Sequence, residues 1–120
     1  MKVVITAQGA DLDSPVDPRF GRARYFLLVD TETSACTAHD NEQNLNAPQG
    51  AGIQAAQAVV RLGATVLLTG HVGPKAFTTL QAGQITVYPG AAGTAREALE
   101  QYRAGQLQAA AKANVEGHWS

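Results

Sequence analysis

At 120 residues and a formal net charge of −1, the chain has room for one domain and one core, and carries no global field to gather nucleic acid. Hydrophobic residues at 45% and charged residues at 16% argue for a folded globule over a disordered chain. A single cysteine, Cys36, excludes an internal disulfide and a multi-cysteine zinc or iron–sulfur cage.

Met1-Lys2-Val3-Val4-Ile5-Thr6 lacks the ~7–15 apolar residues of a secretory segment, and no run approaches the ~20 of a membrane span. A cytoplasmic location is therefore expected. Lys2 to Ala7 reads as a first strand, with Val3, Val4 and Ile5 buried. Residues 8–24 form a long loop, expected to be ordered and functional, with Leu12, Val16 and Phe20 as anchors. Tyr25 to Asp30 is a strand covered on both faces, and Ala35 to His39 returns as its hairpin partner, with Cys36 a small buried hydrophobe. Asp40 to Pro48 is a polar loop.

From Gln49 the period becomes helical, with Ile53, Ala56 and Val60 on the inward face; Pro48 suits the first turn and Gly63 the exit. Val66 to Thr69 is a short buried strand. Gly73-Pro74 opens a second helix with Ala76, Phe77 and Leu80 inward, closed by Gly83. Ile85 and Val87 belong to a last strand ended by Pro89-Gly90. Thr94 and Glu97 form a capping box, followed by the stripe Ala95, Ala98, Leu99 and Tyr102, and Gly105 ends that helix. The expected fold is α/β, of order β-β-β-α-β-α-β-α, with a mixed sheet flanked by helices. The expected division is a domain over 1–105 and a C-terminal tail over 106–120.

Ligands of an open α/β sheet gather beyond the carboxyl ends of its strands. Three segments should converge there: the loop after the first strand, the lead into the first helix, and Gly70 to Lys75. Two of these deliver helix amino termini, whose free N–H groups favour anions. Gly50 and Gly52 either bare the backbone to a guest or let the helix pack closely. Arg19, Arg22, Arg24 and Lys75 offer positive charge, although Arg22 and Arg24 are read first as solvated or paired with Asp11, Asp13 or Asp17. His39, His71 and His118 fit no metal-site spacing. His71 stands in the expected ligand loop, whereas His118 either closes over a site or frames Trp119. The same element order is that of ribonuclease H-like folds, but the first and fourth strands carry none of the carboxylates of two-metal nucleases. No paired acid and base is present, and no catalysis is expected.

Three blocks carry a resemblance: Ser14-Pro15-Val16-Asp17-Pro18-Arg19-Phe20-Gly21-Arg22-Ala23 followed by Tyr25-Phe26, then Asn44 with Gly50-Ala51-Gly52-Ile53-Gln54-Ala55-Ala56, then Gly70-His71-Val72-Gly73-Pro74-Lys75-Ala76-Phe77. Together they resemble the dinitrogenase iron–molybdenum cofactor biosynthesis family, over roughly residues 2–105. That family includes NifX-like proteins, the carboxyl-terminal domain of NifB-like proteins, and the orange protein with its molybdenum–copper sulfide cluster. The resemblance implies a ribonuclease H-like fold with a mixed five-stranded sheet, and non-enzymatic carriage of an anionic metal–sulfur cluster. It leans towards an orange-protein-like member, with a molybdenum–copper sulfide or iron–molybdenum-type cluster held non-covalently. The implied binding residues are Arg19, Gly21, Arg22, Asn44, Gly50, Gly52, His71, Gly73 and Lys75, with His71 and His118 as candidate metal ligands. Two other readings compete. One is an interaction module docking an ATPase or a cofactor-assembly partner, motivated by the tail; the other is an enzyme acting on a phosphate or carboxylate substrate.

Overall fold

The computed structural model describes residues 1–41 and 50–111, which leaves Asn44, Pro48, His118 and Trp119 outside the described residues. The strands are β1 (Lys2–Ala7), β2 (Tyr25–Asp30), β3 (Cys36–Asp40), β4 (Val66–Leu68) and β5 (Thr86–Tyr88). The helices among the described residues are α1 (Ala51–Arg61), α2 (Pro74–Ala82) and α3 (Ala95–Arg103). One mixed sheet has the order β3-β2-β1-β4-β5. Strand β2 is antiparallel to both neighbours, with Val4 opposite Leu28 and Leu27 opposite Ala38. Strands β1, β4 and β5 are parallel, with Val4 beside Leu67 and Leu67 beside Val87.

That pattern leaves β2 alone running against the rest, so α1, α2 and α3 all begin at one edge of the sheet. Alternation along β1 then sorts the core. Val4 points to the face covered by Ala55, Ala56 and Val59 of α1 and by Ala76, Phe77 and Leu80 of α2. Val3 and Ile5 point to the other face, covered by Ala95, Ala98 and Leu99 of α3. Strand β2 is covered on both faces as expected, since Phe26 joins the first cluster and Leu27 and Val29 the second.

Two expectations need correcting. The inward row of α1 is Ala51, Gly52, Ala55, Ala56 and Val59, whereas Val60 is 36% exposed. Small residues let α1 lie close to the sheet, and the helix turns that row inward. Val60 instead covers Gly83 at the end of α2, where an added Cβ would sit 2.5 Å from its Cγ2. Cys36 is exposed, because β3 is an edge strand on which only His39 is even half-buried.

The capping box of α3 is present in both directions: the Glu97 N–H donates to Thr94 Oγ1, and the Thr94 N–H donates to Glu97 Oε1. Thr94→Ala should lower stability by about 1 kcal/mol, seen as a fall of a few degrees in Tm. Beyond α3, Leu107 packs on the α3 side of the sheet and Ala110 on the other. Between them the chain passes the outer edge of β5, where the Ala110 N–H donates to the Val87 carbonyl at 2.8 Å.

Candidate functional site

The loop over 8–24 has two halves with different tasks. Its first half serves α3: the Ala95 N–H donates to the Ser14 carbonyl at 2.9 Å, and the Arg96 N–H to the Leu12 carbonyl at 2.8 Å. Arg96 Nε also meets Asp13 Oδ1 at 3.1 Å. Loop carbonyls and the capping box thus occupy the amino terminus of α3, and it offers nothing to a guest.

The second half crosses to the edge where β1 and β4 end. The Asp17 N–H donates to the Thr6 carbonyl at 2.9 Å, the His71 N–H to the Pro18 carbonyl at 2.7 Å, and the Phe20 N–H to the His71 carbonyl at 3.2 Å. Arg19 and His71 therefore stand beside each other in a short parallel bridge. Phe20 is fully buried and anchors the segment. Gly70 permits the approach: an added Cβ would lie 2.6 Å from both Cα and O of Pro18. Asn41, fully buried, donates from Nδ2 to the Ala23 carbonyl at 2.8 Å and fixes the loop's return into β2.

Helices α1 and α2 start at this same edge, on the same face. Gly50 caps α1 and Gly73 caps α2; neither supplies a side-chain acceptor, and neither first turn contains an acid. This contrasts with α3. Gly50 is needed for its φ of 79°, while Gly52 lies buried in the inward row of α1, so packing accounts for it. Lys75 is exposed in the first turn of α2, directly beyond Pro74.

The structure thus sets Arg19 beside His71, with Gly73 and Lys75 following on the His71 loop, Gly21 and Arg22 following on the Arg19 loop, and the α1 start with Gly50 and Gly52 at the same end of the sheet. Arg19 is mostly exposed, with Nε 4.0 Å from Asp17 Oδ1. Arg22 is half-buried. Arg24 belongs elsewhere: it pairs with Asp40 at 2.9 Å, a partner the sequence reading did not name, and lies over the Tyr25 ring at 5.0 Å. Asp13, weighed there as an arginine partner on its own loop, engages Arg96 instead.

Among the described residues no group of three or more His, Cys, Asp and Glu could hold a metal ion. His39 meets Thr37 Oγ1 through Nε2 at 3.0 Å on the open side of β3. Cys36 opposes Val29, at the far end of β3 from the site. Four residue steps at about 3.3 Å put it roughly 13 Å from Asp40. Although the residue is exposed, partial desolvation of its sulfur pushes the thiol up from the ordinary value, which disfavours a thiolate.

Sequence reasoning missed Thr6, Thr69 and Asn41 and read Asp17 only as an arginine partner; all four are buried polar residues at this edge. A signal for two of them exists: β1 and β4 each carry an apolar run followed at once by threonine.

Fold and edge together define a small α/β domain in which two glycine-capped helix starts share one end of the sheet with Arg19, His71 and Lys75. The dinitrogenase iron–molybdenum cofactor family profile matches residues 1–105, and the chain belongs to that family. Its structure is similar to the apo form of the orange protein from Desulfovibrio gigas, with 47% identity, TM-score 0.92, and coverage of 95% of this chain and 96% of that one. It is also similar to a putative NifB protein from Thermotoga, with 34% identity, TM-score 0.83, and coverage of 97% and 98%. An uncharacterized protein of Methanocaldococcus jannaschii is 24% identical over 95 residues, which span 78% of this chain and 80% of that protein. Among the described residues no helix is long and apolar enough to cross a membrane.

Proposed function

We propose that this chain binds and carries a preassembled, molybdenum-containing metal–sulfur cluster as cargo, in the cytoplasm, and catalyses no reaction of its own. The observation that carries this reading is the contrast between helix starts. Among the described residues, the start of α3 is filled by loop carbonyls and a capping box, whereas those of α1 and α2 have glycine caps and acid-free first turns, with Lys75 in the first turn of α2 and Arg19 beside His71 on the loop that leads to it. A thiomolybdate-type polyanion matches such a rim, because amide N–H groups and cations hold negative charge without a covalent bond. The likeness to the orange protein supports a molybdenum–copper sulfide cargo over an iron–molybdenum-type one. We read the sheet order, with β2 alone reversed, as ribonuclease H-like.

The donor set fits a non-covalent hold. Cys36 is too distant to act as a ligand, and His71, whose Nδ1 is buried, brings an imidazole to the edge. Hydrogen bonds to charged groups contribute about 1.5–3 kcal/mol each, so several together reach micromolar retention, near 8 kcal/mol. A carrier needs a grip of that order, tight enough to travel and loose enough to hand over.

The test mixes the protein with tetrathiomolybdate and a copper salt, then passes it through gel filtration. The protein peak should carry a visible chromophore with both metals by elemental analysis; a colourless peak sinks the reading. Lys75→Ala and His71→Ala should each weaken retention roughly tenfold, the equivalent of about 1.4 kcal/mol, with little change in the thermal transition. Cys36→Ser should retain the chromophore as the parent does. Loss in Cys36→Ser alone would mean a thiolate ligand and another site.

A further inference from the structure

We infer that the buried hydroxyl pair Thr6–Thr69 is a positioning device for the cargo edge, an inference that rests on the cargo reading above. Thr6 follows the apolar run of β1, and Thr69 directly follows β4; both are 0% exposed. Thr6 Oγ1 donates to the Asp17 carbonyl at 2.8 Å, and the Asp17 N–H returns to the Thr6 carbonyl at 2.9 Å. A threonine hydroxyl has one proton to give, and that bond uses it. The 2.8 Å contact between the two hydroxyls must therefore run from Thr69 to Thr6. The relay has one direction: Thr69 to Thr6 to the Asp17 carbonyl.

This relay links the loops that follow β1, β4 and β5 at the edge. Through its backbone Thr69 is tied to the segment after β5, its N–H donating to the Tyr88 carbonyl at 3.2 Å and its carbonyl accepting from the Ala91 N–H at 3.0 Å. Through its hydroxyl it reaches the loop after β1. At the far end, Asp17 Oδ1 accepts the Arg19 N–H at 3.1 Å, and Arg19 then stands beside His71. Two buried hydroxyls thus add a side-chain tie to the backbone bonds that hold Arg19 and the Phe20 amide over the sheet. Valine at both positions would fill nearly the same space with no hydroxyl to satisfy, so packing alone does not account for threonine at both strand ends.

Thr6→Val keeps the shape and removes the bond to Asp17. Hydrogen exchange at the Arg19 and Phe20 amides should rise about tenfold, as for one buried hydrogen bond lost, with β2–β3 amides unchanged. Release of bound tetrathiomolybdate–copper should quicken by a similar factor. Thr6→Ser, which restores the hydroxyl, should return both to the parent values. On an Arg19→Gln background Thr6→Val should add little to release, since the pair acts through Arg19. The inference is overturned if Thr6→Val releases the probe as the parent does, if Thr6→Ser matches Thr6→Val, or if the two substitutions add in full. Should Thr6→Val not fold, Thr69→Val is the milder substitution for the same measurements. A parent protein that fails to hold the probe overturns the cargo reading and with it the role assigned to the pair, while the exchange data still show whether the relay holds the loop.

Discussion

Phe20→Ala is expected to lower the free energy of unfolding by about 3–5 kcal/mol, a large share of the roughly 5–15 kcal/mol that holds a domain of this kind folded. Phe20 belongs to no helix or strand, yet it is fully buried, with its ring 5.9 Å from that of Phe26. It shares the core with Ala55 of α1 and with Val72 and Ala76 at the start of α2. One side chain thus fastens the loop of Arg19 and Arg22 to both helices whose amino termini form the rim. Alanine leaves a cavity under that junction, so retention of the thiomolybdate–copper probe should fall with stability. Urea unfolding measures the first effect and gel filtration the second. A midpoint close to the parent value would mean that the loop is held from elsewhere.

Gly70→Ala should damage the site more than the fold. The new methyl would sit 2.6 Å from Cα and O of Pro18, and both belong to backbone that has no rotamer to change. Either the Pro18 to Arg19 segment withdraws or the 2.7 Å bond from the His71 N–H is broken. Overpacking of this sort costs about 1–3 kcal/mol, and probe retention should drop further than in Lys75→Ala, because several groups move at once. Thermal unfolding alongside retention tests it. A variant with parental retention would show that the two loops need no close contact to hold a guest.

Most of the architecture was legible because its signals are local. The apolar run of β1, the helical period after Gly50, Gly73-Pro74 and the Thr94–Glu97 box each report on a few neighbouring residues, and the elements fall where those signals place them. What failed depended on neighbours distant in sequence. The burial of Cys36 turns on β3 being the edge strand, which no property of residues 36–40 reveals. Val60 misled because α1 packs through alanine and glycine, whose small size weakens the periodic contrast that otherwise marks an inward face. Among candidate residues, the meeting of Arg19 with His71 was legible because their loops leave adjacent parallel strands. Thr6 and Thr69 were passed over, and Asp17 was read only as an arginine partner, because a buried polar residue looks like any other until its partner is seen 11 or 63 positions away. The pairing of Arg24 with Asp40 escaped for the same reason.

What the starts of α1 and α2 would offer a guest is main-chain amide, and no substitution other than proline deletes an amide. On the cargo reading, the surrounding charges could drift in number and position without removing those amides. Variation among relatives should therefore gather at the cationic side chains, which tune selectivity and grip, and be resisted at the glycines that keep the chain close enough to touch.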